Sequence, residues 1–244
     1  MSWIIPCYNE ERRIEKTIRE VAAYLRAKSF DYEIIAVDNN SRDRTKEIIK
    51  RLMNEIGELR LAEAKKAGKG SAVKQGMLES RGDIRLFSDA DNSTSPDHFD
   101  KMEPLFRQGY DMVISSRDTR DAPGAGRHVK EPWHRELLGR LGNLIIQIFG
   151  VWGIWDTQNG FKALTARTAE NIFSRMRIAG FAFDIEMLAL ARRGHYRIGI
   201  IPVTWKYDPD SKVTLPAYLS AFLDVFRIRL NIMRGVYDEK NLAR

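Results

Sequence analysis

With 244 residues, 43% of them hydrophobic, the chain can bury one sizeable core and reads as a globular domain. Its formal net charge of +7 suggests anionic partners such as nucleic acid, phosphate-bearing substrates or acidic lipid headgroups, and bland solubility explains it equally well. A lone cysteine, Cys7, excludes an internal disulfide, four scattered histidines offer no structural zinc pattern, and no apolar run reaches the ~20 residues that span a bilayer. A reducing, cytoplasmic setting is expected, and the first six residues lack the character of a signal peptide.

In chain order, Trp3-Ile4-Ile5-Pro6 is a short strand stopped by proline, and Ile14, Ile18, Val21 and Leu25 recur at helical spacing. The unit repeats: Tyr32-Glu33-Ile34-Ile35-Ala36-Val37 is a β-branched strand, 38–43 is turn chemistry, and Ile48, Ile49, Leu52, Met53 and Ile56 mark a helix face. Residues 59–62 suggest a third strand, Gly68 and Gly70 open a loop before a helix to about Glu79, and a strand over Ile84–Ser88 follows. Strands alternating with helices imply an α/β fold with a mostly parallel, helix-covered sheet. Ligands in such sheets gather beyond the carboxyl ends of the strands, where the polar segments Tyr8-Asn9-Glu10, 38–41 and 89–92 all fall.

The second half is less regular. A strand is expected over 111–115, a mobile glycine-bearing loop over 117–132, an amphipathic helix over 137–149, a helix over Phe183–Arg193 and a strand over 198–203. A basic amphipathic helix closes the chain, mixing Leu219, Phe222, Leu223, Phe226, Leu230 and Met233 with Arg227, Arg229 and Arg234. Its apolar side could rest on a bilayer with the arginines at anionic headgroups, or pack on protein; Trp152 and Trp155 are open to the same two readings.

Leu86-Phe87-Ser88-Asp89-Ala90-Asp91-Asn92 carries the clearest chemistry. On a strand, Asp89 and Asp91 point the same way, and two like charges so held call for a cation between them. A hard divalent ion with oxygen ligands, Mg²⁺ or Mn²⁺, meets that need and would hold a diphosphate. Such pairs also cap helices and shape turns, as Glu10 and Asp38 could do before their own helices. Gly68-Lys69-Gly70-Ser71 lacks the upstream glycine of a nucleotidase phosphate loop.

Together the motifs resemble the inverting family 2 glycosyltransferases of GT-A fold, a Rossmann-like architecture. Pro6-Cys7-Tyr8-Asn9-Glu10 resembles the family's Pro-x-Tyr-Asn-Glu, and Val37-Asp38-Asn39-Asn40-Ser41-Arg42-Asp43-Arg44-Thr45 is similar to its Val-Asp-Asp-Gly-Ser-x-Asp-x-Thr. Asp89-Ala90-Asp91 matches its Asp-x-Asp. Gly68-Lys69-Gly70-Ser71-Ala72, Asp156-Thr157-Gln158-Asn159-Gly160-Phe161-Lys162 and Phe183-Asp184-Ile185-Glu186 further resemble the dolichyl-phosphate (polyprenyl-phosphate) glucosyltransferase and mannosyltransferase branch, more the glucosyl type. Asn39 and Asn40 depart from the family's Asp-Gly, and asparagine tolerates a left-handed backbone better than most residues. The membrane helices that some relatives carry after the catalytic domain are not seen, so membrane contact is expected to be peripheral, at the cytoplasmic face.

The resemblance implies a catalytic domain over 1–210, with the amphipathic helix in 211–244. A nucleotide sugar, UDP-glucose or GDP-mannose, would meet Pro6, Tyr8, Glu10, Asp38, Lys69 and Asp89, with Asp89 and Asp91 on the metal. The acceptor, a polyprenyl or dolichyl phosphate, is already a nucleophile because its second pKa is about 6. Arginine suits the task of bringing in that second anion. Arg117, Arg135 and Lys212 are expected at the acceptor phosphate, and Asp156 and Gln158 near the sugar or acceptor. Asp184 is a catalytic candidate, the base if the acceptor were a hydroxyl. The rival readings are a sugar-hydroxyl or protein acceptor and a non-catalytic nucleotide-sugar binding module. A nucleic-acid binder is disfavoured because the basic residues are dispersed rather than clustered with aromatics.

Overall fold

The computed structural model describes residues 1–127, 142–205 and 215–238. The first half alternates strand and helix: β1 (Ser2–Cys7), α1 (Ile14–Arg26), β2 (Glu33–Asp38), α2 (Thr45–Met53), β3 (Leu59–Glu63), α3 (Lys69–Glu79), β4 (Ile84–Ser88), α4 (Phe99–Arg107) and β5 (Met112–Ser116). After β6 (Gly126–Arg127) and a π-helical turn (Ile146–Gly150) come β7 (Phe161–Thr165), α5 (Ala166–Arg175), α6 (Phe183–Arg193), β8 (Ile198–Pro202), β9 (Thr204–Trp205) and α7 (Leu215–Met233).

Seven strands form one sheet in the order β3-β2-β1-β4-β7-β5-β8, and β6 pairs with β9 in a two-stranded ribbon. All neighbours in the large sheet run parallel except β7, which is antiparallel to both β4 and β5. The expected mostly parallel, helix-covered sheet is therefore present. Along β1 the side chains divide by twos: Ile4 enters the core under α3, α5 and α6, while Trp3, Ile5 and Cys7 enter the core under α1, α2 and α4. The helix face read from Ile14, Ile18, Val21 and Leu25 is wholly buried.

Pro6 does not end β1. The pairing with β4 stops at Ile4↔Phe87, so Pro6 sits where only β2 flanks the strand and a missing ladder donor is tolerated.

β7 and α5 escape the sequence reading because Lys162, wholly buried, interrupts the apolar pattern of the strand. The segment expected to be a mobile loop over 117–132 is pinned in its described part. Asp121 accepts from Ser116 Oγ at 2.7 Å, and β6 pairs in parallel with β9. The amphipathic stretch over 137–149 is described from 142 and ends in the π-type bond from Val151 N to Ile146 O, 2.8 Å. No helix among the described residues is long and apolar enough to cross a membrane.

α7 turns Val225 and Ile228 into the core together with Tyr237. Outward it presents Leu223, Leu230 and Met233 beside exposed Arg227, Arg229 and Arg234, while its one acid in that stretch, Asp224, is buried. Phe149 meets Phe226 at 5.0 Å between ring centroids, joining the turn at 146–150 to this helix. The two tryptophans part ways: Trp152 is 73% exposed, whereas Trp155 lies under the Arg120 guanidinium.

Candidate active site

The carboxyl edges of β1, β2 and β4 carry three loops, and each turns at an asparagine in the left-handed region: Asn9 (φ 54°), Asn40 (φ 62°) and Asn92 (φ 53°). Asn40 thus takes the conformation for which the family motif uses glycine. The first two loops are knitted together. Asn9 N donates to Ser41 Oγ (2.9 Å), Arg42 N to Asn9 Oδ1 (2.8 Å), Glu10 N to Thr45 Oγ1 (2.7 Å) and Glu11 N to Asp43 Oδ2 (3.1 Å). The spacing of both motifs is accounted for by these cross-loop bonds. Asn39 reaches the third side of the site, its Oδ1 accepting from Gly68 N at 3.2 Å.

Asp38 closes β2 with its carboxylate buried. Oδ2 accepts from Ser41 N (3.1 Å) and lies 3.5 Å from Lys46 Nζ, while Oδ1 is buried without a donor. A buried acceptor left over at a strand end is suited to a ligand N–H or hydroxyl. Tyr8 is 47% exposed on the adjoining loop, Pro6 is buried beneath it, and Glu10 is buried and paired with Arg13.

Asp89 and Asp91 follow β4. Thr17 Oγ1 donates to Ala90 O (2.7 Å), tying α1 to the turn, and Ser93 N donates to Asp91 Oδ1 (2.9 Å). Burial and the neighbouring Asp89 charge push the Asp91 carboxyl above its ordinary range, the signature of two acids short of positive charge. Lys69, first residue of α3, supplies part of it, with Nζ 2.6 Å from Asp89 Oδ1. Burial pulls the Lys69 ammonium down, but Asp89, Asp184 and Asp91 outweigh it and hold the group above its usual value. Gly68 makes this approach possible, with φ +121° and its α-carbon pressed on the Ala179 carbonyl, which an added Cβ would meet at 2.2 Å.

Because β7 is antiparallel, the chain entering it arrives at the same edge that the parallel strands leave. Asp89 N donates to Gly160 O (3.0 Å), and a Cβ on Gly160 would lie 2.2 Å from Asp89 Oδ2. The same segment sets the second half of the site. Arg117 grips Asp156 with both arms of its fork, Nε to Oδ2 and Nη2 to Oδ1 at 2.8 Å each, and its backbone N donates to Oδ2 at 2.7 Å. Burial works to raise the Asp156 carboxyl, yet Arg117 reverses it and holds the group below the usual carboxylate range. Gln158 is exposed on this segment.

Asp184 is buried on α6 with Oδ1 2.5 Å from Lys162 Nζ, which also donates to Asn159 O at 2.6 Å. Burial dominates and raises the Asp184 carboxyl despite that partner.

The structure therefore gathers Pro6, Tyr8, Glu10, Asp38, Lys69, Asp89 and Asp91 at neighbouring loop ends. Arg117, Asp156 and Gln158 lie across the 156–160 segment, and Asp184 lies beneath. Arg135 and Lys212 lie outside the described residues.

Several contributors escape sequence reasoning. Asp121 accepts from Trp155 N and Asp156 N at 2.8 Å each, across more than thirty residues of chain, with no local signal. Glu186 is buried and accepts from Arg177 N and Ile178 N (2.9 Å each) and Tyr237 OH (2.7 Å), clamping the loop on which Gly68 rests. Gly160, Lys162 and Glu186 stood inside motifs of the resembling family, and only their contacts reveal what they do.

A family model for Glycosyl transferase family 2 matches residues 2–173. The chain belongs to glycosyl transferase family 2. Among its relatives, a dolichyl-phosphate beta-glucosyltransferase of Trichomonas vaginalis is 32% identical over 99% of this chain and 74% of its own length. The Homo sapiens dolichyl-phosphate beta-glucosyltransferase is 31% identical, covering 97% and 77%. Among solved structures, Mycobacterium tuberculosis glucosyl-3-phosphoglycerate synthase, in complex with Mn²⁺, UDP-glucose and phosphoglyceric acid, superposes with a TM-score of 0.67 at 19% identity. That match covers 98% of this chain and 80% of the synthase. Mannosyl-3-phosphoglycerate synthase from Rubrobacter xylanophilus gives the same TM-score at 19% identity, covering 96% and 74%. The fold of this family 2 glycosyltransferase is accordingly GT-A-like.

Two outcomes follow from the geometry. Gly160→Ala pushes the Asp89 carboxylate aside and is expected to lower glycosyl transfer about a hundredfold with the far-UV circular dichroism unchanged; wild-type turnover would contradict the contact. Asp156→Asn leaves Arg117 without its buried partner and is expected to lower stability by about 3 kcal/mol at pH 7 in urea melts. Since the folded Asp156 carboxyl sits below its ordinary value of 3.8, its contribution is full above that pH and is lost as pH falls from there through the lower folded value. The gap between wild type and Asp156→Asn should therefore be flat near neutrality and close below about pH 4.

Proposed function

We propose that this glycosyltransferase moves glucose, with inversion, from UDP-glucose to a polyprenyl phosphate of the dolichyl type. The observation that carries the reading is the convergence of Asp38, Asp89, Asp91 and Lys69 at adjoining strand ends, with Asp38 Oδ1 buried and unpartnered. That is a donor site for a nucleoside diphosphate. The curated relatives, dolichyl-phosphate beta-glucosyltransferases over nearly the whole chain, support both the sugar and the acceptor.

Asp38 and Glu10 accept from the nucleoside, Tyr8 and Pro6 border its base, and Lys69 meets the diphosphate. Among the described residues no three His, Cys, Asp or Glu side chains form a metal cage; Asp91 and Asp89 would hold a divalent ion beside the diphosphate. Their oxygen ligands and unmet negative charge fit Mg²⁺ or Mn²⁺. When bound, such an ion neutralises the departing diphosphate. The acceptor phosphate oxygen attacks the anomeric carbon from the opposite face as the bond to the diphosphate breaks, and the configuration inverts.

Since the acceptor already carries its charge, no side chain has to take a proton from it. The commitment of buried Asp184 to Lys162 fits that requirement and weakens the reading in which Asp184 serves as base for a hydroxyl. Asp156 holds Arg117 in a set orientation for the acceptor phosphate, with Arg135 and Lys212 assigned to the same task. The exposed leucines, Met233 and arginines of α7, together with Trp152, support peripheral contact with an anionic membrane surface.

The test is incubation of the protein with labelled UDP-glucose, a polyprenyl phosphate in detergent and Mg²⁺ or Mn²⁺. Label is expected in the lipid extract, falling about a hundredfold or more with Asp91→Ala. Absence of lipid-linked sugar from UDP-glucose and from GDP-mannose would refute the reading.

A further inference from the structure

Asp89 is hemmed in on one side. Its backbone is tied to Gly160 O at 3.0 Å, and its carboxylate fills the space where a Gly160 side chain would stand, so it cannot retreat in that direction. Its Oδ1 is buried, and the Lys69 ammonium lies 2.6 Å away. This is a close ammonium–carboxylate contact. Lys69 is confined in turn, because it follows Gly68, whose backbone rests on Ala179. Behind Lys69 stands Asp184, fixed by Lys162 at 2.5 Å. The charges alternate from Lys162 through Asp184 and Lys69 to Asp89.

We propose that Lys69 is a resident counter-cation of Asp89 that a divalent ion must displace, so that this lysine weakens metal binding until a nucleoside diphosphate arrives to receive the ammonium. The inference rests on the donor-site reading above and adds a coupling to it. With Lys69 on Asp89, an incoming divalent ion meets a fixed positive charge at the carboxylate it needs, and the repulsion lowers its affinity. A diphosphate gives the ammonium a new partner and relieves the repulsion. Metal and nucleotide then each tighten binding of the other, and by linkage the factor is the same in both directions.

The experiment is Mn²⁺ binding, followed by the electron paramagnetic resonance signal of the free ion, in wild type, Lys69→Met and Lys69→Arg, each with and without UDP. Lys69→Met should bind Mn²⁺ about tenfold or more tightly in the absence of UDP and show less tightening when UDP is added. Lys69→Arg, which keeps the charge, should stay near wild type, and adding Asp89→Asn to Lys69→Met should remove the gain. Equal or weaker Mn²⁺ binding by Lys69→Met would overturn the proposal. If circular dichroism shows Lys69→Met to be unfolded, Lys69→Gln takes its place under the same criteria. No sugar or acceptor takes part, so failure of glucosyl transfer leaves this readout intact. An unchanged Mn²⁺ affinity in an enzyme that makes the glycolipid would overturn this inference alone. Absence of Mn²⁺ binding from every protein, with UDP present, would overturn both.

Discussion

Like charges gathered at one edge of a sheet are the constraint on which this structure turns. Asp89 and Asp91 stand together after β4, and Asp184 lies near enough to act on Asp89. Burial deepens the conflict, because water is less able to screen the charges. The fold answers with lysines rather than with surface arginines. Lys162 rises from the second position of buried strand β7 to Asp184, and Lys69 enters from the first position of α3 to Asp89. Much of the local architecture serves those two side chains: the glycine at 68, the Ala179 carbonyl against it, and the Glu186 carboxylate that clamps the 177–178 backbone.

A single topological choice joins the donor half to the other half. Were β7 parallel like its neighbours, residues 156–160 would enter the sheet at the far edge. Running antiparallel, with Ser88 opposite Phe161, it delivers Gly160 against Asp89 and Asp156 against Arg117. The lysine-paired acid Asp89 and the arginine-holding acid Asp156 are thereby set by one short stretch of chain. Asp121, bonded to the backbone of Trp155 and Asp156, fixes that stretch from the opposite loop.

The first half of the fold was legible because its helices are amphipathic and its strands are apolar and β-branched. Ile14, Ile18, Val21 and Leu25 name their own buried face, and β4 was bounded correctly by the abrupt change from Phe87 to Asp89. The three loops were legible from motif spacing, and the cross-loop bonds of Asn9, Glu10 and Glu11 depend on that spacing. β7 was hidden because its second residue, Lys162, reads as surface and is in fact wholly buried. Arg117 could be read as a residue suited to phosphate, but its bidentate pairing with Asp156 depends on a contact between positions thirty-nine apart, which periodicity does not report. Gly160 is legible as a motif residue, and only the space around it tells that a side chain would strike Asp89.

The proposed function unites these features in a division of labour: carboxylates and Lys69 for the donor diphosphate, Arg117 on the other side of the 156–160 segment for the acceptor. The most direct measurement is a crystal structure with Mn²⁺ and UDP-glucose, using anomalous scattering to find the metal. An anomalous peak on the Asp91 carboxylate, with the diphosphate between it and Lys69 and the nucleoside against Asp38, is the predicted result. A metal bound away from Asp89 and Asp91, or a nucleotide seated outside the loops that follow β1, β2 and β4, would contradict the account.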